Sequence, residues 1–244
     1  MGGHYGKPGN CSANNYHATA GNGGPALVKA GSSGLPSLKN PIEGVIPGPQ
    51  VWEACFTGKY RNAGDWYSGK GAQAGVDETC DIHCIIHDEN AYLQTGPNMK
   101  RGIEAHRKMD FVLSKAQFLT TQALYSDIVL PVTTQWEVPG GLASSNREFL
   151  FCFSQVTEPL YEAKTDAQIN TLIMEALGLD PSTVYPISEK QAFFNQIAGA
   201  TVIKEDGSGK YEPLVTITDA DLKEWGVSGK PQTGRVGLKE FIDN

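Results

Sequence analysis

Short apolar runs and one amphipathic segment follow one another between Asp81 and Glu137. The compact run Ile82–His87 is rich in β-branched residues and predicts a buried strand that ends in a polar loop. Met99–Met109 carries a single apolar stripe and a charged remainder, which predicts a surface helix. Two further runs, Asp110–Ser114 and Ser126–Val132, predict a second and a third strand. This order is typical of a βαβ unit, so the predicted fold class is α/β, with an open, mainly parallel sheet flanked by helices.

Four other segments have patterns of regular structure. They are a short helix at Val51–Lys59, a strand at Arg147–Val156, and helices at Asp166–Leu177 and Ser188–Ile197. Gly58 is the predicted end of the first helix, and Asp166 and Gly178 are the predicted N-cap and end of the second. From Lys204 onward, charged residues and glycines are mixed without a clear period, which predicts an irregular C-terminal extension.

Glycine and proline are concentrated in the first 50 residues, a composition that opposes long helices and strands. This segment is either a linker or a loop surface packed against a bulky ligand, where missing side chains permit close backbone approach. We therefore divide the chain into a Gly/Pro-rich segment 1–75, an α/β domain 76–183 and a C-terminal extension 184–244.

Composition narrows the class of protein. The chain has 244 residues, 40% of them hydrophobic, which is enough for a sizeable core. Its formal net charge of −7 argues against nucleic acid as a partner, because such proteins show a basic face. No apolar run approaches the roughly 20 residues of a membrane span. Five cysteines form an odd, sparse set that predicts reduced thiols and no disulfide scaffold.

One cluster of metal-ligand residue types calls for two interpretations. Cys80, His83, Cys84 and His87 are spaced so that on a helix they would share one face, as a small zinc site requires. The isoleucines between them favour a strand, on which the cysteines and histidines would point to opposite faces. A zinc-binding module therefore stays open as the less favoured alternative.

The polar side chains of three loops offer hydrogen-bonding groups for a nucleotide. No G-x-G-x-x-G fingerprint follows the first strand and no P-loop is present, so the common NAD and ATP motifs are missing. Amides and carboxylates suit the edges of a guanine or a pterin, and hydroxyls suit phosphate. Ligands of open α/β sheets bind at the carboxyl ends of the strands. The candidate binding residues are Asn90, Gln94, Gln117, Thr120, Thr121, Gln122, Asp127 and Glu137; no nucleophile or metal ligand is nominated.

Ordered motifs then point to a family. Asn90 and Gln94 fall on a G-N-P-L-N-Q-like loop, Phe118–Ala123 on an F-M-T-x-T-A motif, Ser126–Pro131 on A-D-I-V-L-P, and Glu137 on a later acidic position. Gly3–Gly9 and Glu158–Asp166 match two flanking segments. The chain resembles an interior fragment of a catalytic subunit of the dimethyl-sulfoxide-reductase family, enzymes that carry two molybdopterin guanine dinucleotides.

The resemblance implies a function for each segment. The 76–183 domain would hold the guanosine and phosphate part of a molybdopterin guanine dinucleotide that carries molybdenum or tungsten. Segment 1–75 would be the edge of a neighbouring cofactor domain, and 184–244 would lead to a further domain. The parent would be an anaerobic oxygen-atom-transfer reductase or a related dehydrogenase, with an iron-sulfur cluster outside this chain.

The implied partners are the remaining segments of the parent subunit and an iron-sulfur electron-transfer subunit, without nucleic acid or direct membrane contact. The parent would be cytoplasmic or exported folded to the bacterial cell envelope. Two positions depart from the family: Asp88 and Glu89 replace glycines of the loop, and Ala116 replaces an acidic residue before the Phe motif. A stand-alone nucleotide-binding or assembly module without catalysis is the main alternative.

Overall fold

The computed structural model describes residues 25–38, 46–62, 75–88, 92–145 and 149–243. The segments Gly3–Gly9, Glu89 and Asn90 lie outside these ranges, as does most of the Gly/Pro-rich start. Two compact units divide the chain, and each is described by itself. One contains the described parts of Leu38–Thr134 and Pro159–Asn170, and the other those of Met1–Ser37, Gln135–Glu158 and Thr171–Asn244. The predicted boundaries near residues 75 and 183 stay predictions.

The elements are numbered along the described part of the chain. The helices are α1 Val51–Thr57, α2 Tyr92–Thr95, α3 Met99–Lys108, α4 Thr121–Leu124, α5 Asp166–Ala176, α6 Glu189–Ala198, α7 Asp219–Trp225 and α8 Leu238–Asp243. The strands are β1 Val28–Lys29, β2 Lys59–Arg61, β3 Asp77–Thr79, β4 Cys84–His87, β5 Phe111–Ala116, β6 Ile128–Pro131, β7 Gly140–Ser145, β8 Phe149–Ser154, β9 Thr201–Ile203, β10 Tyr211–Pro213, β11 Val215–Thr216 and β12 Val236–Gly237.

A parallel sheet of order β4-β5-β6 forms the centre of the first unit. Cys84 pairs with Phe111, and Leu113 pairs with Ile128. All of β5 except its first residue is buried, because it has a neighbouring strand on both sides. The α/β prediction with a parallel sheet flanked by helices is therefore confirmed, although the sheets are small and several of them are antiparallel.

Helix α3 packs against α1 through small residues on its buried face. It begins after Asn98, whose side chain accepts from the backbone N–H of Arg101, and Gly102 and Ala105 are buried along it. A Cβ at Gly102 would lie 2.9 Å from an indole carbon of Trp52, so glycine permits this close approach. Helix α1 ends at Gly58 with φ +64°, as the sequence predicts.

The second unit has its core around α6. Phe193, Phe194 and Ile197 of this helix are buried with Val215 and Ile217. Ser188 caps α6 by accepting from the N–H of Gln191, which confirms the helix predicted at Ser188–Ile197. The strand predicted at Arg147–Val156 is β8, paired with β7 as an antiparallel hairpin.

Two details differ from the sequence-based expectations. The side chain of Thr165 accepts from the N–H of Gln168, so Thr165 caps α5 and the prediction of Asp166 as N-cap is wrong. The hydroxyl stands one residue earlier, and Asp166 is left for a different partner. The C-terminal segment also carries more regular structure than its mixed composition indicates, because short strands and the helices α7 and α8 share one apolar cluster. Among the described residues, no helix combines the length and apolarity needed to cross a bilayer.

Candidate functional site

The carboxyl ends of β4, β5 and β6 meet at one edge of the parallel sheet, called the carboxyl edge below. The strands end at His87, Ala116 and Pro131, and the segments that follow each strand start there. Lys164 pairs with Val132 beyond the end of β6, which brings the start of α5 to the same edge. Parallel strands collect their following segments in this way, and ligand sites of open α/β sheets lie at such edges.

Gln117 and Thr133 are joined directly at the carboxyl edge. The Gln117 side-chain nitrogen donates to the carbonyl oxygen of Thr133 at 3.0 Å. Thr133 is only 5% exposed, and its hydroxyl Oγ1 has no hydrogen-bond partner in the part of the chain that the structure describes. A buried hydroxyl without a partner costs stability. Thr133 is therefore a group that a bound ligand could satisfy, although it is not among the candidates predicted from the sequence.

Helix α4 and helix α2 are held together by the nominated glutamine Gln122. Gln122 is fully buried, and its side-chain oxygen accepts from the backbone N–H of Leu93 at 3.1 Å. Gln94, the next residue of α2, is half-buried. Gln122 thus fixes the backbone beside Gln94. Because its own side chain is buried from solvent, its role is to position α2.

Thr120 and Thr121 begin α4 immediately after the β5 loop. The Thr120 hydroxyl accepts from the N–H of Ala123 at 3.3 Å, so Thr120 is the N-cap. Thr121 is the first residue of the helix and is half-buried. Five of the nominated residues therefore lie together on the carboxyl side of the sheet: Gln94, Gln117, Thr120, Thr121 and Gln122.

A buried lysine, not nominated from the sequence, organises the other half of the edge. Lys115 Nζ lies 2.6 Å from Asp88 Oδ1 and 2.8 Å from Asp166 Oδ1, and its side chain is 4% exposed. Burial works to lower the pKa of Lys115, and hydrogen bonds to Asp166 and Asp88 more than compensate, so the pKa lies above its usual value. The available signal was a lysine inside a strand with neighbours on both sides, since such a charge needs partners.

Three nominated residues are not brought into this group. Asp127 precedes β6 at the opposite end of the strand, where its Oδ2 accepts from the N–H of Val112 at 2.7 Å. Glu137 is 5% exposed and belongs to the second unit. Asn90 lies outside the described residues. Their assignment to the cofactor stays a prediction.

The four side chains of the zinc hypothesis have separate surroundings. Cys80 lies against the carbonyl oxygen of Ala54, and His83 Nδ1 is 2.6 Å from Asp110 Oδ2. Cys84 is exposed, whereas His87 is buried against His106. No group of three metal-ligand side chains occurs among the described residues. The geometry of the described residues therefore gives the zinc module no support.

Fold and edge together define an α/β protein with a candidate ligand site at the carboxyl ends of parallel strands. The sequence model of the molybdopterin oxidoreductase family matches residues 2–176, and the chain belongs to this family. Membership implies a molybdopterin cofactor with its metal. The donor set at the carboxyl edge fits the organic part of such a group, because Thr133 offers a buried hydroxyl that has no partner among the described residues.

Curated relatives agree with this assignment over a short stretch. A protein of Staphylococcus aureus (strain USA300) named "Putative formate dehydrogenase" is 34% identical over 82 residues, which is 34% of this chain and 8% of the relative. One of the same name from Staphylococcus haemolyticus (strain JCSC1435) is 31% identical over 97 residues, covering 40% of this chain and 9% of the relative. The match thus spans less than a tenth of either relative.

Proposed function

We propose that the carboxyl edge holds the guanosine and phosphate part of a molybdopterin guanine dinucleotide, within the catalytic subunit of a molybdenum or tungsten oxidoreductase. The observation that carries the proposal is the buried Thr133 hydroxyl beside Gln117. A ligand amide, hydroxyl or phosphate oxygen would complete its hydrogen bonding. The dimethyl-sulfoxide-reductase resemblance supports the guanine dinucleotide form of the cofactor.

The residues of the edge bind and orient, and the bound cofactor supplies the redox chemistry at its metal. Phe118, two residues beyond the end of β5, is 70% exposed, and its ring offers an apolar face on which a planar base can stack. Gln117 and Thr133 would orient polar atoms of the ligand, while Gln122 keeps α2 and α4 in register around it.

The resemblance and the names of the relatives support a proposal for the parent reaction. Oxygen-atom transfer and dehydrogenation are both known to the resembled family, and the relatives' names favour dehydrogenation, with formate as the substrate to test first. The parent would work anaerobically, with an iron-sulfur electron-transfer partner. It would be cytoplasmic or exported folded.

The binding proposal is tested with GDP and the full 244-residue chain. Isothermal titration should detect GDP binding, and Thr133→Val should weaken it about two- to tenfold, the worth of one hydrogen bond. The same substitution should leave the free energy of unfolding unchanged or raise it slightly, because it removes a buried hydroxyl that has no partner among the described residues. Thr79→Val, at an exposed threonine of β3, is the matched control.

Two results would contradict the proposal. Absence of GDP binding by the wild-type chain would refute the nucleotide site itself. Equal GDP affinity of wild type and Thr133→Val would show that the buried hydroxyl does not serve the ligand.

A further inference from the structure

Lys115 has no hydrogen-bond donor left for a ligand. Besides Asp88 and Asp166, its ammonium group approaches the side-chain oxygen of Asn170 at 3.4 Å. An ammonium has three N–H groups, and here three oxygen acceptors surround it. Although a lysine beside a nucleotide site suggests phosphate binding, this one is committed to protein partners. Its effect on a ligand must pass through Asp88.

Asp88 combines a fixed position with an accessible carboxylate. Lys115 holds Oδ1 at 2.6 Å, yet 73% of the Asp88 side chain is exposed at the end of β4. A carboxylate has about four lone-pair sites, so the ion pair leaves acceptor capacity directed away from the lysine. One ammonium faces two carboxylates in this cluster, which leaves one excess negative charge. Such a group repels phosphate and accepts from O–H or N–H donors.

The guanosine of the proposed ligand offers two kinds of donor. The guanine edge presents N1–H and the amino group side by side, and a carboxylate matches this edge when both of its oxygens are free. In Asp88, Lys115 occupies one of the two oxygens. The ribose hydroxyls can be bound by the remaining oxygen. In doubly wound α/β folds an acidic residue near the strand ends binds the ribose in this way.

The neighbouring strand end lacks such a group. Ala116 closes β5, is 4% exposed and has only a methyl group. The acidic function missing there stands one strand away, where Lys115 fixes it. We infer that Asp88, positioned by Lys115, binds a ribose hydroxyl of the guanosine and makes the site select ribonucleotides. This inference rests on the proposed function.

The test compares GDP with 2′-deoxy-GDP on the full chain by isothermal titration. Wild type should prefer GDP about tenfold or more, because the hydroxyl bonds to a charged acceptor. Asp88→Asn keeps the size of the side chain and should reduce this preference to about twofold. Asp166→Asn removes the other carboxylate from Lys115 without altering the proposed ribose ligand, and should keep the wild-type preference. Thermal unfolding monitored by circular dichroism checks that both variants fold.

The outcomes separate the inference from the function on which it rests. If wild type binds neither nucleotide, the proposed function and the inference both fail. If wild type binds GDP but does not discriminate against the deoxy form, or if Asp88→Asn keeps the discrimination, the inference is overturned and the nucleotide site stands. If Asp88→Asn instead changes the preference for GDP over IDP, the carboxylate recognises the base, and the ribose assignment is overturned.

Discussion

The buried pair of His87 and His106 is expected to make the free energy of unfolding fall at acid pH. Their Nε2 atoms are 2.8 Å apart, and His106 Nδ1 lies 2.7 Å from the carbonyl oxygen of Gly102. A carbonyl only accepts, so His106 carries its proton on Nδ1, and its Nε2 accepts from Nε2–H of His87. This arrangement requires His106 to be neutral, because its Nε2 is the acceptor, and burial disfavours the charged form of His87. Protonation of His106 would place two N–H groups against each other.

The direction of the pH effect follows from the pKa values. Burial, with the nearby His106, lowers the pKa of His87 from 6.5 to about 4, and burial lowers that of His106. The unfolded chain therefore binds more protons than the folded chain between these values, and stability falls as pH falls below 6.5. A shift of this size corresponds to a loss on the order of 3 kcal/mol for His87 once pH reaches its folded pKa. The stabilisation is fully present above the unfolded pKa.

Urea unfolding at about pH 8 and about pH 4.5 measures this loss. The double variant His87→Leu/His106→Leu removes both titrating rings together and leaves no single ring nitrogen unpaired. Its free energy of unfolding should fall less between the two pH values than that of wild type, by a few kcal/mol. An equal fall in both proteins would refute the neutral-pair assignment.

His83 is the matched control because its pKa is shifted in the opposite direction from those of His87 and His106. It is exposed, and hydrogen bonds to Asp110 and Asp81 raise its pKa. Its contribution is therefore present below the unfolded pKa and is lost as pH rises through the folded pKa. His83→Gln should remove a small stabilisation at acid pH and leave the acid loss caused by the buried pair intact.

Two core substitutions are expected to lower the free energy of urea unfolding. Gly102→Ala should cost about 1–3 kcal/mol despite its better helix propensity, because the new Cβ would lie 2.5 Å from a methyl carbon of Leu93; no loss would contradict the packing of α3. Lys115→Met should cost about 1–2 kcal/mol at neutral pH, since two carboxylates lose their partner but stay largely exposed. If this cost vanishes at high salt, the ion pairs of Lys115 with Asp88 and Asp166 behave as exposed surface ion pairs.

The pattern of apolar residues was sufficient to predict the strands of the parallel sheet and the helix α3. The apolar runs predicted all three parallel strands, and the stripe of Met99–Met109 predicted α3, because burial on one face or both imposes these patterns locally. The bounds shifted by one or two residues at their ends. Strand β4 begins at Cys84, where pairing with Phe111 starts, and not at Ile82. Pairing partners decide such limits, and the local sequence does not contain them.

The roles of polar side chains were less predictable, because the same residue type can serve the fold or a ligand. Asp127 and Gln122 both looked like ligand groups in loops. The carboxylate of Asp127 bonds to the backbone of β5, and the amide of Gln122 bonds to the backbone of α2. Thr133 had no distinguishing sequence pattern, since what marks it is a buried hydroxyl that finds no partner within the described part of the chain. These assignments depend on contacts between segments far apart in the chain.

Lys115 shows how one such contact can be reasoned from the topology. An alternating pattern would place this lysine on a solvated face, but β5 lies between two strands and is buried there. A charge in that place is stable only with opposite charges from adjoining segments, and the segments that reach the end of β5 are those after β4 and before α5. Both supply an aspartate. Asp88 is therefore the counterpart of Lys115, and the inferred ribose ligand stands at the end of β4 and not at Ala116, which closes β5.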